Sequence, residues 1–434
     1  MWERSPGGLV SAMQPVIERH RAIWVGWDGG VGRAGRGVRV GKLGIAPVRL
    51  NRAEVDGYYQ GFCNSTLWPL YHDAIHQPVF ESKWWQPYVD VNARFATAIA
   101  RRATRNARIW IHDYHLQLVP RLLRQMRPDL RIGFFLHIPF PPDELFAQLP
   151  QRAALLEGLL GADLCAFQTS GGAINFSRVA RRYTDAEGTD HELTLGEHTV
   201  RCIATPISVD ADAFEGLANS AAVKRRAAEI RRQLGGRKII LAVDRLDYTK
   251  GIAHRLRAIE GLLRSRRLSA EKVVHLQIGV PSREEAHGYE GVRREVEEIV
   301  GRINGTFAEP GRPAVQFFRR SLPREELTAY YVAADVMVVT PLRDGMNLVA
   351  KEYVASRVDH SGVLVLSEFA GAAREMRMAL QLNPRDTETF EATILKALHL
   401  PARDVRMRMA VLRTQVRRHT VFDWAEHFLE ALER

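Results

Sequence analysis

Short apolar runs alternate with amphipathic stretches along almost the whole chain. In the first half, residues 108–112, 133–138, 162–168 and 199–204 read as strands. Between them, Leu116, Val119, Leu122, Leu123 and Met126 recur at helical spacing. A second series of strands is expected at 238–243, 273–280, 315–318, 336–339 and 363–367. After the first of these, Ile252, Leu256, Ile259 and Leu263 mark one buried helix face. Strands alternating with helices predict parallel sheets covered by helices on both faces, the α/β class. The Gly-rich segment 29–37 reads as a mobile loop and 38–50 as a hairpin. A charged helix over 221–234 precedes the second series, which puts a boundary near Asp210. The expected division is residues 1–209, residues 210–419, and an amphipathic helix over 420–434.

Length agrees with this division: 434 residues exceed what one core commonly uses and suit two domains of about 200 residues. An apolar fraction of 46% is that of a globular chain. No stretch nears the ~20 apolar residues of a membrane helix, and residues 1–8 lack the apolar core of a signal peptide. Cys63, Cys165 and Cys202 are odd in number and far apart. They point to free thiols in a reducing cytoplasm, with no disulfide framework and no cysteine zinc site. The formal charge of +11 raises nucleic acid as a partner. However, the basic residues are dispersed and only 8 of the 61 are lysine, which looks like a compositional preference. A nucleic-acid role is therefore set aside, and the charge is left to attract anionic substrates.

Two loops carry the candidate chemistry. The strand at 336–339 leads into Pro341-Leu342-Arg343-Asp344-Gly345-Met346-Asn347-Leu348-Val349-Ala350-Lys351-Glu352 and a helix start. A helix N-terminus after a tight turn offers free amides and a favourable dipole to an anion. Asp344 and Glu352 can accept hydrogen bonds from sugar and ribose hydroxyls. The strand at 238–243 leads into Asp244-Arg245-Leu246-Asp247-Tyr248-Thr249-Lys250-Gly251. Arg245 and Lys250 thus stand at the C-terminal end of a parallel strand, where open α/β sheets bind ligands. A forked guanidinium and a point-charge ammonium suit a diphosphate. Together the two loops suit a nucleotide-sugar.

These two strings resemble the trehalose-6-phosphate synthases, retaining glycosyltransferases with two Rossmann-like domains. Further similar segments occur in family order: Ser5-Pro6-Gly7-Gly8-Leu9, Tyr58-Tyr59-Gln60-Gly61-Phe62 with Leu67-Trp68-Pro69, Trp110 to His115, Phe134 to Pro141, and Gly301-Arg302-Ile303-Asn304-Gly305. The resemblance implies two doubly wound parallel-sheet domains facing a central cleft, the GT-B arrangement. It implies transfer of glucose from a nucleoside-diphosphate-glucose, UDP-glucose foremost, to glucose 6-phosphate. By resemblance the last helix crosses back to the first domain. The family begins with a strand carrying an Arg after an Asn that touches the acceptor phosphate. Here the glycine loop follows Met1 directly, and the expectation is a start further upstream.

The resemblance also assigns roles. Arg245 and Lys250 stabilise the leaving diphosphate, while His137 and Asp344 position the donor glucose. Gly8 lets backbone approach the diphosphate. The Met346, Asn347, Leu348, Val349, Ala350 and Lys351 segment holds sugar and phosphates, and Glu352 holds the ribose. Tyr59, Trp68, Asp113 and Arg302 form the acceptor side, with Tyr59 and Arg302 on the 6-phosphate. Trp68 and Ile138 select the anomer. The only Asp-x-Asp spacing considered for a metal, Asp210-Ala211-Asp212, falls at the domain boundary, so no metal and no cofactor are expected. Asp113 between His112 and His115 is discounted as a metal site, since these histidines do not converge. Another phosphorylated acceptor such as glycerol 3-phosphate, and a catalytically impaired sugar-phosphate sensor, stay open as alternatives. The donor base and a homo-oligomeric state are not decided by the residues.

Overall fold

A computed structural model describes residues 8–19, 22–32, 37–41, 43–281 and 289–434. The chain forms two compact units. An N-terminal unit comprises Leu9–Ile207 together with Phe422–Arg434, and a C-terminal unit includes Ser208–Val421.

The N-terminal unit contains two sheets. In the smaller, β1 (Ala22–Val31) pairs in parallel with β3 (Leu43–Leu50), and β2 (Val38–Val40) pairs antiparallel with β3 as the expected hairpin. The segment 29–37 begins as strand rather than loop: β1 runs to Val31, and the amide of Gly32 donates to the Leu50 carbonyl. Residues 33–36 lie outside the described residues. The larger sheet has the order β4 (Arg108–His112), β5 (Arg131–Leu136), β6 (Leu164–Phe167), β9 (His198–Ala204), β8 (Glu192–Leu195), β7 (Glu187–Gly188). Its first four strands are parallel and its last pairings antiparallel. β1 and β4 each stand at the edge of their sheet.

Parallel strands with helices on both faces bury both sets of side chains. This is why Phe134, Phe135 and Leu136 are wholly buried in succession. The helix Val421–Glu433 closes one face of this sheet. Its Trp424 and Phe428 stack on Trp110 at 4.8 and 4.1 Å between ring centroids. Full burial of a Phe side chain contributes about 1.5–3 kcal/mol. Gly133 makes that approach possible, because a Cβ there would lie 2.6 Å from Phe428 Cζ.

The C-terminal unit is one six-stranded parallel sheet. Its order is β12 (Val315–Phe318), β11 (Val273–Val280), β10 (Lys238–Arg245), β13 (Val336–Val339), β14 (Val363–Ser367), β15 (Leu380–Leu382). Counted within the sheet this is the order 3-2-1-4-5-6. The winding direction reverses between β10 and β13, and ligands of such sheets bind at that reversal, outside the carboxyl ends of the strands. The helix Ile252–Arg264 buries Ile252, Leu256, Ile259 and Leu263 as its spacing predicts. No helix among the described residues is long and apolar enough to cross a membrane.

Candidate active site

Both loops singled out by sequence leave the sheet at the reversal. Arg245 ends β10, and Asp344 to Glu352 follow β13. The loops are stitched to each other. The Leu342 amide donates to the Thr249 carbonyl at 2.7 Å. Gly251 adopts φ +65, and a Cβ there would lie 2.2 Å from the Thr340 carbonyl oxygen, so the contact requires glycine. Asp247 accepts from the Thr249 amide and hydroxyl at 2.9 and 2.8 Å, and from the Tyr289 hydroxyl at 3.2 Å. Beneath the loops, fully buried Arg255 pairs with Asp244 at 2.6 Å and donates to the Val338 carbonyl of β13 at 2.8 Å. Removing one member of such a pair leaves an uncompensated buried charge at a cost of ~3–5 kcal/mol. The pair therefore ties β10 to β13 next to the strand end that carries Arg245.

Within this frame Lys250 Nζ meets Asp344 Oδ2 at 2.6 Å, both side chains nearly buried. Asn347 Nδ2 donates to the same oxygen at 3.0 Å. Asn347 has φ +78 and caps the helix Leu348–Ser356, a left-handed conformation that a non-glycine residue adopts at a cost. Met346 and Ala350 are buried. Successive helical residues point about 100° apart, and the next two diverge accordingly. Lys351 turns inward to Glu375 at 2.8 Å, where burial lowers its pKa, so its ammonium does not face the loop. Glu352 faces the helix Arg324–Ala333 and accepts a hydrogen bond from the Tyr331 hydroxyl at 2.9 Å. Burial raises the pKa of Glu352, while Tyr331 and then Arg324 oppose the rise.

Arg302 is not brought to this place. The helix Tyr289–Phe307 starts beside the Arg245–Lys250 loop, since Tyr289 bonds Asp247 and packs on Tyr248 at 5.6 Å. Arg302 lies thirteen residues further on, ~20 Å along the axis at 1.5 Å per residue. There its Nε and Nη2 bind the two oxygens of Glu260, each at 3.0 Å. Arg264 meets the same carboxylate at 2.8 Å, so Glu260 is shared between two guanidinium groups. In this structure the Arg302 guanidinium, expected on the acceptor phosphate, is engaged by Glu260.

In the N-terminal unit the candidates gather at the carboxyl ends of β4 and β5. The amide of His137 donates to Asp113 Oδ1 at 3.2 Å, and the amide of Asp113 donates to the Phe135 carbonyl at 2.8 Å. Asp113 has φ +74, a second strained non-glycine residue at a candidate position. His112 Nδ1 and His137 Nε2 lie 3.1 Å apart. Burial pushes His112 down to about 3, and burial followed by the charge of His112 pushes His137 well below the usual histidine range, so both rings are neutral. Tyr59 stacks on His115 at 5.8 Å, and Trp68 packs on Tyr114 at 5.8 Å, which places both around the turn that follows Asp113. Both come from one helical stretch, Val55–Leu67 in π-helical winding and Trp68–Tyr71, opened by a capping box between Asn51 and Glu54. Ile138 is buried beside His137. Gly8 opens the helix Gly8–Arg19, and the preceding Ser5, Pro6 and Gly7 lie outside the described residues. Asp210 accepts from the Ala213 amide at 3.0 Å as a helix cap. Among the described residues no group of three or more His, Cys, Asp or Glu could hold a metal ion.

Two residues escaped the sequence reading. His112 converges on His137 and not on His115; the signal was a histidine at the end of each of two neighbouring strands. Tyr331 carried no signal beyond its place on an amphipathic helix.

A helix N-terminus and two cations fit a diphosphate, and two carboxylates fit sugar hydroxyls. At the reversal of a parallel sheet these groups define a glycosyltransferase that draws on a nucleotide-sugar. The sequence profile of glycosyltransferase family 20 matches residues 1–434, and the chain belongs to that family. It is similar to the trehalose-6-phosphate synthase of Mycobacterium marinum, 51% identical over 445 residues that span 99% of this chain and 89% of the relative. It is also similar to a solved α,α-trehalose-phosphate synthase (UDP-forming) from Burkholderia xenovorans in complex with glucose-6-phosphate. That match has a TM-score of 0.94 and 35% identity, and covers 100% of this chain and 98% of the other. An E. coli structure with UDP-2-fluoro glucose bound is similar with a TM-score of 0.93 and 33% identity over 100% of this chain and 98% of that one.

Proposed function

We propose that this chain transfers glucose from UDP-glucose to the anomeric hydroxyl of glucose 6-phosphate, with retention, and releases UDP and α,α-trehalose 6-phosphate. The observation that carries this reading is the joining of Arg245, Lys250, Asp344 and a strained helix N-terminus at the sheet reversal. The glycosidic bond from C1 to the diphosphate oxygen breaks as the bond from C1 to the acceptor oxygen forms on the same face. The acceptor proton passes to the departing phosphate oxygen, so no side-chain nucleophile is needed. The main task is then to offset the charge gathering on the diphosphate. Arg245 and Lys250 supply it, with the amides of the helix that begins at Leu348. Lys250 is held by Asp344 in the free protein, and an arriving diphosphate competes for it. Asp344 and neutral His137 hold the glucose hydroxyls, and Glu352 holds the ribose. Gly8 approaches the diphosphate. Tyr59, Trp68 and Asp113 receive the acceptor, and Trp68 with Ile138 selects its anomer.

Two cations at the leaving group take the place a divalent metal would fill, so turnover proceeds without one. Three buried free thiols, Cys63, Cys165 and Cys202, suit a reducing cytoplasm. The test is UDP release from UDP-glucose with an acceptor panel of glucose 6-phosphate, glucose and glycerol 3-phosphate. Release with glucose 6-phosphate, and a non-reducing disaccharide phosphate as product, is expected. A preference for glycerol 3-phosphate would redirect the acceptor assignment, and binding of both substrates without turnover would make the chain a sensor.

A further inference from the structure

Glu352 is a partly buried carboxylate with no cation in contact among the described residues. Burying an ionised carboxylate is costly unless it is paired and hydrogen-bonded. Its one side-chain hydrogen bond among the described residues comes from the Tyr331 hydroxyl, on Oε2 at 2.9 Å. Tyr331 is wholly buried, and this is also its hydroxyl's one partner. A phenylalanine would pack equally well against Tyr353, whose ring meets Tyr331 edge-on at 6.2 Å. The hydroxyl is therefore present for the carboxylate. The backbone holds Tyr331 in turn: Arg357, itself buried, donates to the carbonyls of Tyr331, Val332 and Ala334 at the end of the same helix. Glu352 lies four residues beyond Leu348, ~6 Å along the axis from the helix N-terminus. That is the side on which a ribose follows a phosphate seated at the amides.

We propose that Tyr331 is a positioning residue for the donor nucleotide. Its hydroxyl fixes one oxygen of Glu352 so that the carboxylate presents its other oxygen, and the remaining lone pairs, to the two ribose hydroxyls. This rests on the assignment of Glu352 to the ribose. A hydroxyl donor keeps the carboxylate an acceptor while adding no positive charge that would compete with Arg245 and Lys250 for the diphosphate.

The probe is a pair of donors, UDP-glucose and its 2′,3′-dideoxyribose analogue, with KM and kcat measured for the wild type, Tyr331→Phe, Glu352→Gln and the double variant. The wild type should show a KM ratio, analogue over native, of at least ~30, because charge-assisted hydrogen bonds to two hydroxyls are lost. Tyr331→Phe should raise the native KM about fivefold, leave the analogue KM in place and so shrink the ratio, with kcat moving less than KM. In the Glu352→Gln background the tyrosine change should add less than twofold. A wild-type ratio near one would overturn the ribose assignment and the inference with it. A large wild-type ratio that Tyr331→Phe leaves intact would overturn the inference alone, as would an equal rise of both KM values. Should Tyr331→Phe fold poorly, Tyr331→Leu gives the same reading of the ratio, since it also removes the hydroxyl.

Discussion

Lys250 and Asp344, both proposed to act on the substrate, are bound to each other at 2.6 Å with both side chains nearly buried. The sequence places both in loops, where charges usually contribute little to stability. The observed burial reverses that expectation for Lys250. Removing the ammonium takes away the cation that meets Asp344 at 2.6 Å, and breaking a buried pair costs ~3–5 kcal/mol. Lys250→Ala should therefore lower the melting temperature, and adding Asp344→Asn should restore most of the loss, as differential scanning calorimetry of the single and double variants would show. A Lys250→Ala protein as stable as the wild type would mean that water reaches the pair freely.

Element by element, the strands and the two loops were legible because parallel-sheet strands are short, apolar and followed at once by functional loops. The place of Arg302 was not legible, because a short matching string says nothing about which end of a helix a residue occupies. Helix rise decides it, and Arg302 falls ~20 Å beyond the helix start. Arg302→Ala should leave the KM for glucose 6-phosphate within about twofold. Its effect should instead appear as a modest stability loss, since exposed ion pairs contribute ~0–1 kcal/mol. A KM increase of tenfold or more for the acceptor alone, in steady-state kinetics, would reinstate the phosphate role. Other features were hidden for a related reason. Tyr331 and Glu352 lie on successive helices, and His112 and His137 on successive strands, so that only tertiary packing joins them. The strain at Asp113 and Asn347 was equally unreadable, since neither is a glycine and the left-handed backbone is imposed by surrounding contacts.

For the molecule as a whole, the division of labour follows the two units. In the proposed function Arg245, Lys250, Asp344 and Glu352 come from the carboxyl edge of the C-terminal sheet. His137, Asp113, Tyr59 and Trp68 come from the N-terminal unit, whose final helix is returned by the chain's last residues. The basic residues take part in ion pairs in both units, among them Arg124–Asp163 and Arg226–Glu326. In the proposed function these two cations, Arg245 and Lys250, and not a metal, carry the leaving group. The most direct measurement is kcat for UDP release from UDP-glucose and glucose 6-phosphate in EDTA, for the wild type, Arg245→Ala and Lys250→Ala. Unchanged wild-type turnover and a loss of at least ~100-fold in each variant are predicted, as for removal of a preorganised donor from a developing anion. Near-normal turnover in the variants, or loss of wild-type activity in EDTA with recovery on adding magnesium or manganese, would contradict it.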